Sequence, residues 1–573
     1  MQRCLWIGSL RPTSRVSLGN TSRFVAAAIA AACLLPAALS ARADHHQGPE
    51  ATPPMEGEPQ PATHVMPLSL ADAIALGIEN NLSVEIARHD PLIADLSLSV
   101  AWSAYDPLIS GDAGYLDDRQ PPTSALAGAK NQLLDGSIGA AWQVPMLGAT
   151  LGIRYDASKT KSFNPFVSAR PQWDSGLVFD ASIPLLRDLI WNQAWVSIKT
   201  SEIQVGQSNR SFENSLIEAI ADIEDSYWGL VASRERQNVA QKSLESTVAL
   251  LEQVKTQYEV GVVSKVDVVE AEAGVAERDL DLITATNAYQ RAQDALIVAV
   301  LGTKLEANTH LTIDPTDPPE SFTRYEANVE VAVDKAFERR PDYKNAQADV
   351  ETQRFTLKHK RNQMLPQLTF QGSYSATGRG GIGTPVADTF DFDMDGDRTE
   401  IIGTNPTTAT GIGDTNSDIF GSGGGDIYSA RGIVSIPLGN VRARKEATIA
   451  EINLRKSNTR LLQLRQSIIT DVRNTVRNLR SSLEGIDAAE RRRVAAAEQL
   501  RAERVRLEHG ESTPFEVLQR ERDLVDAESQ KIAALKEYRA SETDLLKSQG
   551  TLLEARNIVL EEAAPLRATY DQW

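Results

Sequence analysis

Two stretches, YEVGVVSKVDVV at residues 258–269 and LEHGESTPFEVL at residues 507–518, share one pattern. In both, a glycine is followed three positions later by a hydroxyl residue and six positions later by an acid. At this shift of 249 residues, other residue pairs also agree without a gap: Gly261 with Gly510, Ser264 with Thr513, Asp267 with Glu516, Leu251 with Leu500, Leu230 with Leu479, Ile223 with Val472 and Tyr289 with Tyr538. The pattern predicts an internal duplication.

Each stretch interrupts a long segment that has the pattern of a helix. No proline lies between Pro184 and Pro315, or between Pro437 and Pro514, and apolar residues recur at steps of three and four. Residues 193–257 alone would form a helix of about 100 Å. We therefore predict two long helical hairpins, each reversing at a glycine. Taken alone, this pattern favours an antiparallel coiled coil.

The first 43 residues have the features of an export signal. They contain five arginines and no acid, an apolar run at Phe24–Leu35, and a cleavage-like Ala41-Arg42-Ala43. The apolar run is too short and too weakly hydrophobic for a membrane span. We predict a signal peptide over residues 1–43 and a disordered Pro- and Glu-rich arm over residues 44–66.

Composition excludes several classes of function. Both cysteines, Cys4 and Cys33, lie in the predicted signal, so the mature chain has no thiol chemistry. The net charge of -18 falls to -23 without the five arginines of the signal, which argues against nucleic acid as a partner. The seven histidines show no metal-ligand spacing, and no nucleophile motif or phosphate loop is present. We predict that the protein is not an enzyme and that its helices bind no cofactor.

A second correspondence, at a shift of 259 residues, precedes the strands of each half. Ala73 aligns with Ala332 and Pro107 with Pro366. Each half should therefore begin with a lead helix that ends before a proline and is followed by a strand. The predicted units are residues 67–310 for the first repeat, 311–328 for a linker, 329–555 for the second repeat and 556–573 for a C-terminal tail.

Alternating apolar residues predict strands over about 108–184 in the first repeat and about 367–376 and 427–437 in the second. An ordinary soluble sheet has the same period, but strands between such long helices must protect their edges. Aromatic residues also gather near the predicted strand ends, as they do at membrane interfaces. These residues are Trp142, Tyr155, Trp173, Trp191 and Trp195. Both features favour membrane strands.

Residues 377–426 lack any apolar period and are predicted to form an acidic loop. Alternate carboxylates within it resemble the start of a calcium-binding loop. They are Asp391, Asp393, Asp395 and Asp397. Position twelve of that loop would be Ile402 instead of the bidentate glutamate, so a solvated loop without calcium is the alternative.

The ordered set of features, present twice, resembles the TolC-like outer-membrane efflux proteins. In each repeat an Ile-Pro-Leu follows the last strand and leads into the long helix, at Ile183-Pro184-Leu185 and Ile436-Pro437-Leu438. The resemblance covers residues 68–553. It implies a fold that is mainly α with a β-barrel. Long antiparallel helices would form a periplasmic α-barrel, and the strands of a homotrimer would share one barrel in outer-membrane lipid.

The resemblance also implies a function. The chain would be the exit duct of a tripartite export system that spans the periplasm. It would passively conduct substrates to the outside. They would come from an inner-membrane transporter of the RND, ABC or MFS type and a periplasmic membrane-fusion adaptor. The alternative is a secreted coiled-coil tether without a pore, which would not need strands with aromatic ends.

The resemblance gives the two turns a role in adaptor contact: Gly261, Val262, Val263 and Ser264 in the first, and Gly510, Glu511, Ser512 and Thr513 in the second. Two acids that line the family's closed end fall on Glu516 and Gln519, so only the first is an acid here. Asp267 and Glu270 occupy the matching places in the first repeat. We expect Asp267, Glu516 and Glu270 to form the channel constriction. The alternative is that they are solvated acids at helix starts, where the helix dipole favours them.

One feature departs from the family. The first half has four candidate strands where the family usually has two, and residues 137–158 look like an extra hairpin. This hairpin either adds strands to the barrel or lies outside its wall.

Overall fold

The computed structural model of the chain describes residues 64–119, 130–162, 169–302, 311–322, 324–325, 327–383, 385–387, 401–404, 411–421 and 424–559. The predicted signal peptide and most of the predicted arm lie outside the described residues. So do the calcium-loop candidates Asp391, Asp393, Asp395 and Asp397.

The first repeat runs from lead helices through strands to a helical hairpin. Its elements are β1 (His64–Leu68), α1 (Leu70–Asn80), α2 (Leu82–Trp102), β2 (Leu108–Asp118), β3 (Asn131–Gln143), β4 (Thr150–Ser162), β5 (Ala169–Pro184), α3 (Gln193–Glu259) and α4 (Lys265–Leu301).

The second repeat has the same order with fewer long strands. Its elements are β6 (Leu311–Pro315), α5 (Val329–Arg339), α6 (Pro341–Asn362), β7 (Gln367–Gly383), β8 (Pro385–Ala387), β9 (Ile401–Thr404), α7 (Ile412–Phe420), β10 (Gly425–Ser435), α8 (Val441–Glu508), α9 (Pro514–Gln549) and α10 (Leu552–Ala555).

The duplication extends to the ends of the elements. Helices α3 and α8 contain 67 and 68 residues, which gives each a length of about 100 Å. They end at Glu259 and Glu508, 249 residues apart, and α1 and α5 begin 259 residues apart. The aligned Ile223 and Val472 are both fully buried. The predicted long helical hairpins are confirmed.

The lead helices differ from the prediction, because each is two helices. Asn81 separates α1 from α2 with extended backbone, and its side chain accepts hydrogen bonds from Ser83 N–H (2.9 Å) and Val84 N–H (3.3 Å). In the second repeat, α6 begins with Pro341, which favours extended backbone at the preceding Arg340. A polar cap in one repeat and a proline in the other therefore break the helix at the same place.

The predicted arm and linker also differ from the structure. Residues His64–Met66, the end of the predicted arm, belong to β1, which pairs in parallel with β6 inside the predicted linker. Leu68 and Ile313 are buried there. Tyr227 of α3 donates a hydrogen bond to Asp317 (2.6 Å), and burial together with this bond raises the pKa of Tyr227 well above its usual range. The two chain segments therefore close over the core of the first repeat.

A buried ion pair joins the two repeats near the end of the described chain. The guanidinium of Arg556, the first residue of the predicted tail, donates to both carboxylate oxygens of Glu224, at 2.5 and 2.8 Å. Thr543 of α9 also donates to Glu224, which is fully buried. Since a buried carboxylate is stable only when paired and hydrogen-bonded, this contact fixes α3 against the end of the second repeat.

The long strands form one six-stranded antiparallel sheet in the order β10-β7-β5-β4-β3-β2. Part of the predicted loop 377–426 belongs to it, because β7 continues to Gly383 beside β5. This stretch lacks the apolar alternation that predicts a strand because it has glycines at 378, 380, 381 and 383. Helix α7, also within the predicted loop, packs over them, and a Cβ added at Gly378 would lie 1.9 Å from the Thr415 carbonyl oxygen.

Candidate functional site at the helical tips and the sheet

Both helical hairpins reverse at a glycine in the left-handed region. The φ angle is +79° at Gly261 and +76° at Gly510, and a Cβ added at either position would meet nothing within 4 Å. Glycine is therefore required by the backbone conformation and not by crowding. The space outside each turn is open in the described chain.

Side chains that cap the returning helices follow each glycine. Ser264 caps α4 in a capping box, in which Asp267 Oδ2 accepts from the Ser264 N–H (2.8 Å) and hydroxyl (2.8 Å). Thr513 caps α9, accepting from the Glu516 N–H at 3.4 Å. The hydroxyl and acid spacing in the two stretches is therefore a helix-capping pattern, whatever further role the acids have.

A small apolar core lies beneath the two turns and contains residues from both hairpins. Its buried members are Leu250, Leu251, Val254, Ala271, Leu500, Leu507, Val517 and Leu518. Two further cores lie farther along the helices: one combines the first repeat with Leu552 and Leu553 of α10, and the other belongs to the second repeat. The tips are therefore a place where the hairpins share a core.

The outer surface of the turns is apolar. Five large apolar side chains around them are more than half exposed: Val260, Val262, Val266, Val269 and Phe515. Solvated loops are seldom this apolar, so the surface is suited to contact with another protein.

Buried polar residues connect the hairpins just behind the tip core. Glu521 of α9 is 3% exposed, and its carboxylate lies 3.3 Å from the Thr247 hydroxyl of α3 and 3.6 Å from the Arg504 guanidinium of α8. Arg504 also donates to Ser246 of α3. Glu521 is not among the site residues predicted from the sequence, although the residues three and four positions away on both sides, Val517, Leu518, Leu524 and Val525, are apolar and place it on the buried stripe of α9.

Two further polar contacts stabilise the tips. The hydroxyl of Ser512, in the second turn, donates to Glu503, which also lies 3.4 Å from Arg506. Arg522 of α9 pairs with Glu277 of α4 across the two hairpins. The first contact lies within the second hairpin, whereas the Arg522–Glu277 pair and Glu521 attach the second hairpin to the first by charged groups as well as by the shared core.

At the other end of the molecule, the sheet has one apolar and one polar face. Paired residues place Ile138, Ile153, Tyr155, Leu177 and Phe179 on one face. The opposite face carries most of the charges of the strands: Asp112, Asp118, Asp135, Arg154, Asp156, Asp174, Asp180, Arg379 and Arg431. This alternation is typical of a membrane strand with lipid on one side and water on the other.

Aromatic residues border the apolar face. Tyr115 and Trp173 share one distal row, where Lys159 Nζ lies 4.6 Å from the Trp173 ring centre, and Trp142 lies eight residues nearer the helices. The rows are about 20 Å apart after allowing for a strand tilt of about 40°. Trp191 and Trp195 lie on the helix side, and Tyr155 lies mid-strand, donating to Asn416 of α7 at 2.6 Å.

No helix among the described residues has both the length and the hydrophobicity of a membrane-spanning helix.

Within the described ranges, no group of three or more histidine, aspartate or glutamate side chains could hold a metal ion. The predicted constriction acids are at the turns: Asp267 is half-buried, while Glu270 and Glu516 are exposed.

Helical hairpins of about 100 Å joined to a two-faced sheet define a TolC-like outer-membrane channel protomer. The chain belongs to the outer membrane efflux protein family, whose sequence model matches residues 135–303 and 332–551. No curated protein matches the sequence. The predicted family and fold class are confirmed, and the chain has the role of an outer-membrane efflux duct.

Solved outer-membrane channels have the same fold. The CmeC channel of Campylobacter jejuni is 14% identical, with a TM-score of 0.58 over 86% of this chain and 90% of that chain. The open-state MtrE channel of Neisseria gonorrhoeae is 17% identical, with a TM-score of 0.57 over 84% and 89%. VceC of Vibrio cholerae is 14% identical, with a TM-score of 0.56 over 84% and 96%.

The Glu521 contacts lead to a prediction about opening. Glu521→Ala removes the carboxylate that faces Thr247 and Arg504, and hydrogen bonds to a charged group contribute about 1.5–3 kcal/mol. We expect the hairpins to separate more readily and the open probability in planar bilayers to rise about fivefold or more. Glu498→Ala, which removes an exposed pair with Arg501, is the matched control and should leave opening unchanged. Equal opening of both variants would contradict the prediction.

Proposed function

We propose that three copies of this chain form the passive exit duct of a tripartite export system. An inner-membrane transporter of the RND, ABC or MFS type would supply the energy, and a periplasmic membrane-fusion adaptor would contact the helical tips. We also propose that residues 1–43 are the signal peptide that directs export, and that the chain has no catalytic activity.

The observation that carries this proposal is that one chain leaves its sheet incomplete. Strands β2 and β10 end the sheet on its two sides, and the apolar face of the sheet remains largely exposed. A bilayer leaves no water for unpaired strand edges, so membrane sheets must close. A coiled-coil tether has no need of such a sheet, which is why the duct is favoured over that alternative.

Assembly and conduction test the proposal directly. The smallest stable unit in detergent should have the mass of three chains by light scattering, with the detergent contribution subtracted. The same preparation should give single-channel conductance in planar bilayers. A monodisperse monomer, or trimers that never conduct, would favour the tether instead.

We propose that the turns dock onto the adaptor. Support comes from their open outer space and from the apolar surface formed by Val260, Val262, Val266, Val269 and Phe515. Val263, Ser264, Glu511, Ser512 and Thr513 complete the contact segments around Gly261 and Gly510.

Replacing both glycines tests the docking role. Gly261→Leu with Gly510→Leu places a bulky side chain at positions where left-handed backbone costs about 1–2 kcal/mol per residue. Export should be lost while outer-membrane trimers remain. Gly261→Asn with Gly510→Asn is the matched control, because asparagine tolerates this backbone and is smaller. Export by the leucine variant at normal levels would exclude the docking role.

We propose that Asp267, Glu516 and Glu270 line the constriction of the trimer, each position forming a ring of three carboxylates. Such rings attract cations and repel anions at a narrow opening. The equivalent places of Asp267 and Glu516 in the first turns of α4 and α9 support this proposal. The capping contacts of Asp267 hold its carboxylate at the tip and are compatible with this proposal.

Selectivity measurements separate capping from constriction. Asp267→Asn with Glu516→Gln should shift the reversal potential toward lower cation preference and weaken blockade by a trivalent cation added from the periplasmic side. Ser264→Ala removes the capping box but keeps both charges, so it should leave selectivity unchanged. If only the Ser264 variant alters selectivity, the constriction lies elsewhere.

A further inference from the structure

The number of strands in the sheet determines the width of the outer-membrane pore. The inference drawn from it rests on the proposed trimer. We propose that the β3–β4 hairpin is part of the pore wall, so that three chains close a barrel of eighteen strands through contact of β2 with β10 of a second copy. The outer mouth is then a wide aqueous opening that admits bulky hydrophilic solutes.

The hairpin lies in the middle of the sheet, not beside it. Strand β3 pairs with β2 along the whole of β2, and β4 pairs with β5 without a register shift. Ser110 of β2 is in one row with Gly139, Arg154 and Val178. Three strand spacings, about 14 Å, therefore separate β2 from β5. A hairpin outside the wall would require β2 to pair with β5, which would break both of these ladders.

The hairpin has the same two faces as the rest of the sheet. Ile138, Ile153 and Tyr155 continue the apolar face, and Arg154 and Asp156 continue the polar face, where they form an ion pair at 2.8 Å. Charged residues on a lipid-facing surface cost about 2–4 kcal/mol near the bilayer centre, whereas they are acceptable in a lumen. The pattern therefore fits a strand pair with lipid on one side and water on the other.

The two ends of the sheet are complementary. Strands β2 and β10 each contain 11 residues. Because six strands alternate in direction, β2 and β10 run oppositely, and a second copy can add its β10 antiparallel to β2. Helix α7 packs on the apolar face, against β5, β7 and Tyr155 of β4, so it covers part of that face and leaves both end strands uncovered. Backbone pairing between copies then removes every edge, as the bilayer requires.

Strand number determines the width. Strands about 4.8 Å apart and tilted by about 40° give eighteen strands a backbone diameter of about 36 Å, against about 24 Å for the twelve strands without the hairpin. Barrels of 16–18 strands leave an aqueous channel. The polar face carries six aspartates and three arginines among the described residues, so the lumen is also net acidic. Selection by size then lies at the helical tips and not at the mouth.

Cryo-electron microscopy of the intact protein in lipid nanodiscs tests the proposal. We expect eighteen strands, with a backbone diameter about 1.5 times that of a twelve-strand barrel. Twelve strands, with β2 against β5 and the hairpin outside, would overturn the proposal and leave the duct function intact. Chains that neither trimerise nor conduct would count against the proposed function instead.

Cysteine crosslinking in membranes gives a second test that needs no map. The predicted mature chain has no cysteine, so pairs can be introduced without background. Cysteines in β2 at Ser110 or Asp112, combined with cysteines in β10 at Ser429 or Arg431, should yield covalent dimers and trimers. Ser373→Cys with Ser429→Cys, whose hydroxyl oxygens are 2.9 Å apart in one chain, is the positive control for intrachain bridging.

The pair Ser110→Cys with Val178→Cys tests for the competing arrangement, in which β2 pairs directly with β5. In the eighteen-strand barrel these residues are too far apart to form a disulfide, because disulfides require Cα atoms within about 7 Å. Interchain bridges between β2 and β10 without this intrachain bridge support the proposal. An intrachain bridge between β2 and β5, with no interchain product from any β2–β10 pair, overturns it.

Discussion

Backbone hydrogen bonding at the ends of the sheet constrains everything else in this protein. Within a bilayer, each unpaired N–H or C=O group costs several kcal/mol, so a membrane sheet with two free ends cannot exist alone. The six strands of one chain are too few to enclose water, since about eight strands only make room for side chains. Assembly of several chains is therefore a condition for the sheet, and the helices that continue from it must be arranged around the same axis.

The helical part of the chain is held together by several apolar cores and by polar contacts between helices. One apolar core combines the first repeat with α10 and is closed by the strand pair β1–β6, and a second core belongs to the second repeat. The Glu224–Arg556 ion pair joins α3 of the first repeat to the end of the second repeat. The small core beneath the turns joins the two repeats at the tips. Helix α3 also packs against α9, and Lys536 of α9 pairs with Asp225 of α3 at 3.2 Å, so the two hairpins are joined at several levels along their length.

The acids at the tips illustrate how one residue can have two physical roles. Asp267 satisfies backbone and hydroxyl donors at the start of α4. In the proposed trimer, the same charge would be repeated by symmetry and would create a negative field at a narrow opening. Glu521 differs because it is buried between three helices, so its carboxylate holds the hairpins together rather than facing the opening.

The sequence by itself determined the duplication, the long hairpins, the glycine turns and the family resemblance. These features depend on local rules of period, proline placement and capping, which act along the chain and repeat at fixed shifts of 249 and 259 residues. Even the extra hairpin could be found, since its strands alternate. Only the tertiary structure decided where that hairpin lies, because strand order depends on which distant backbones pair. The same holds for β7 beyond Ala376, where glycines remove the pattern, and for the partners of Glu521, which lie on helices far apart in sequence.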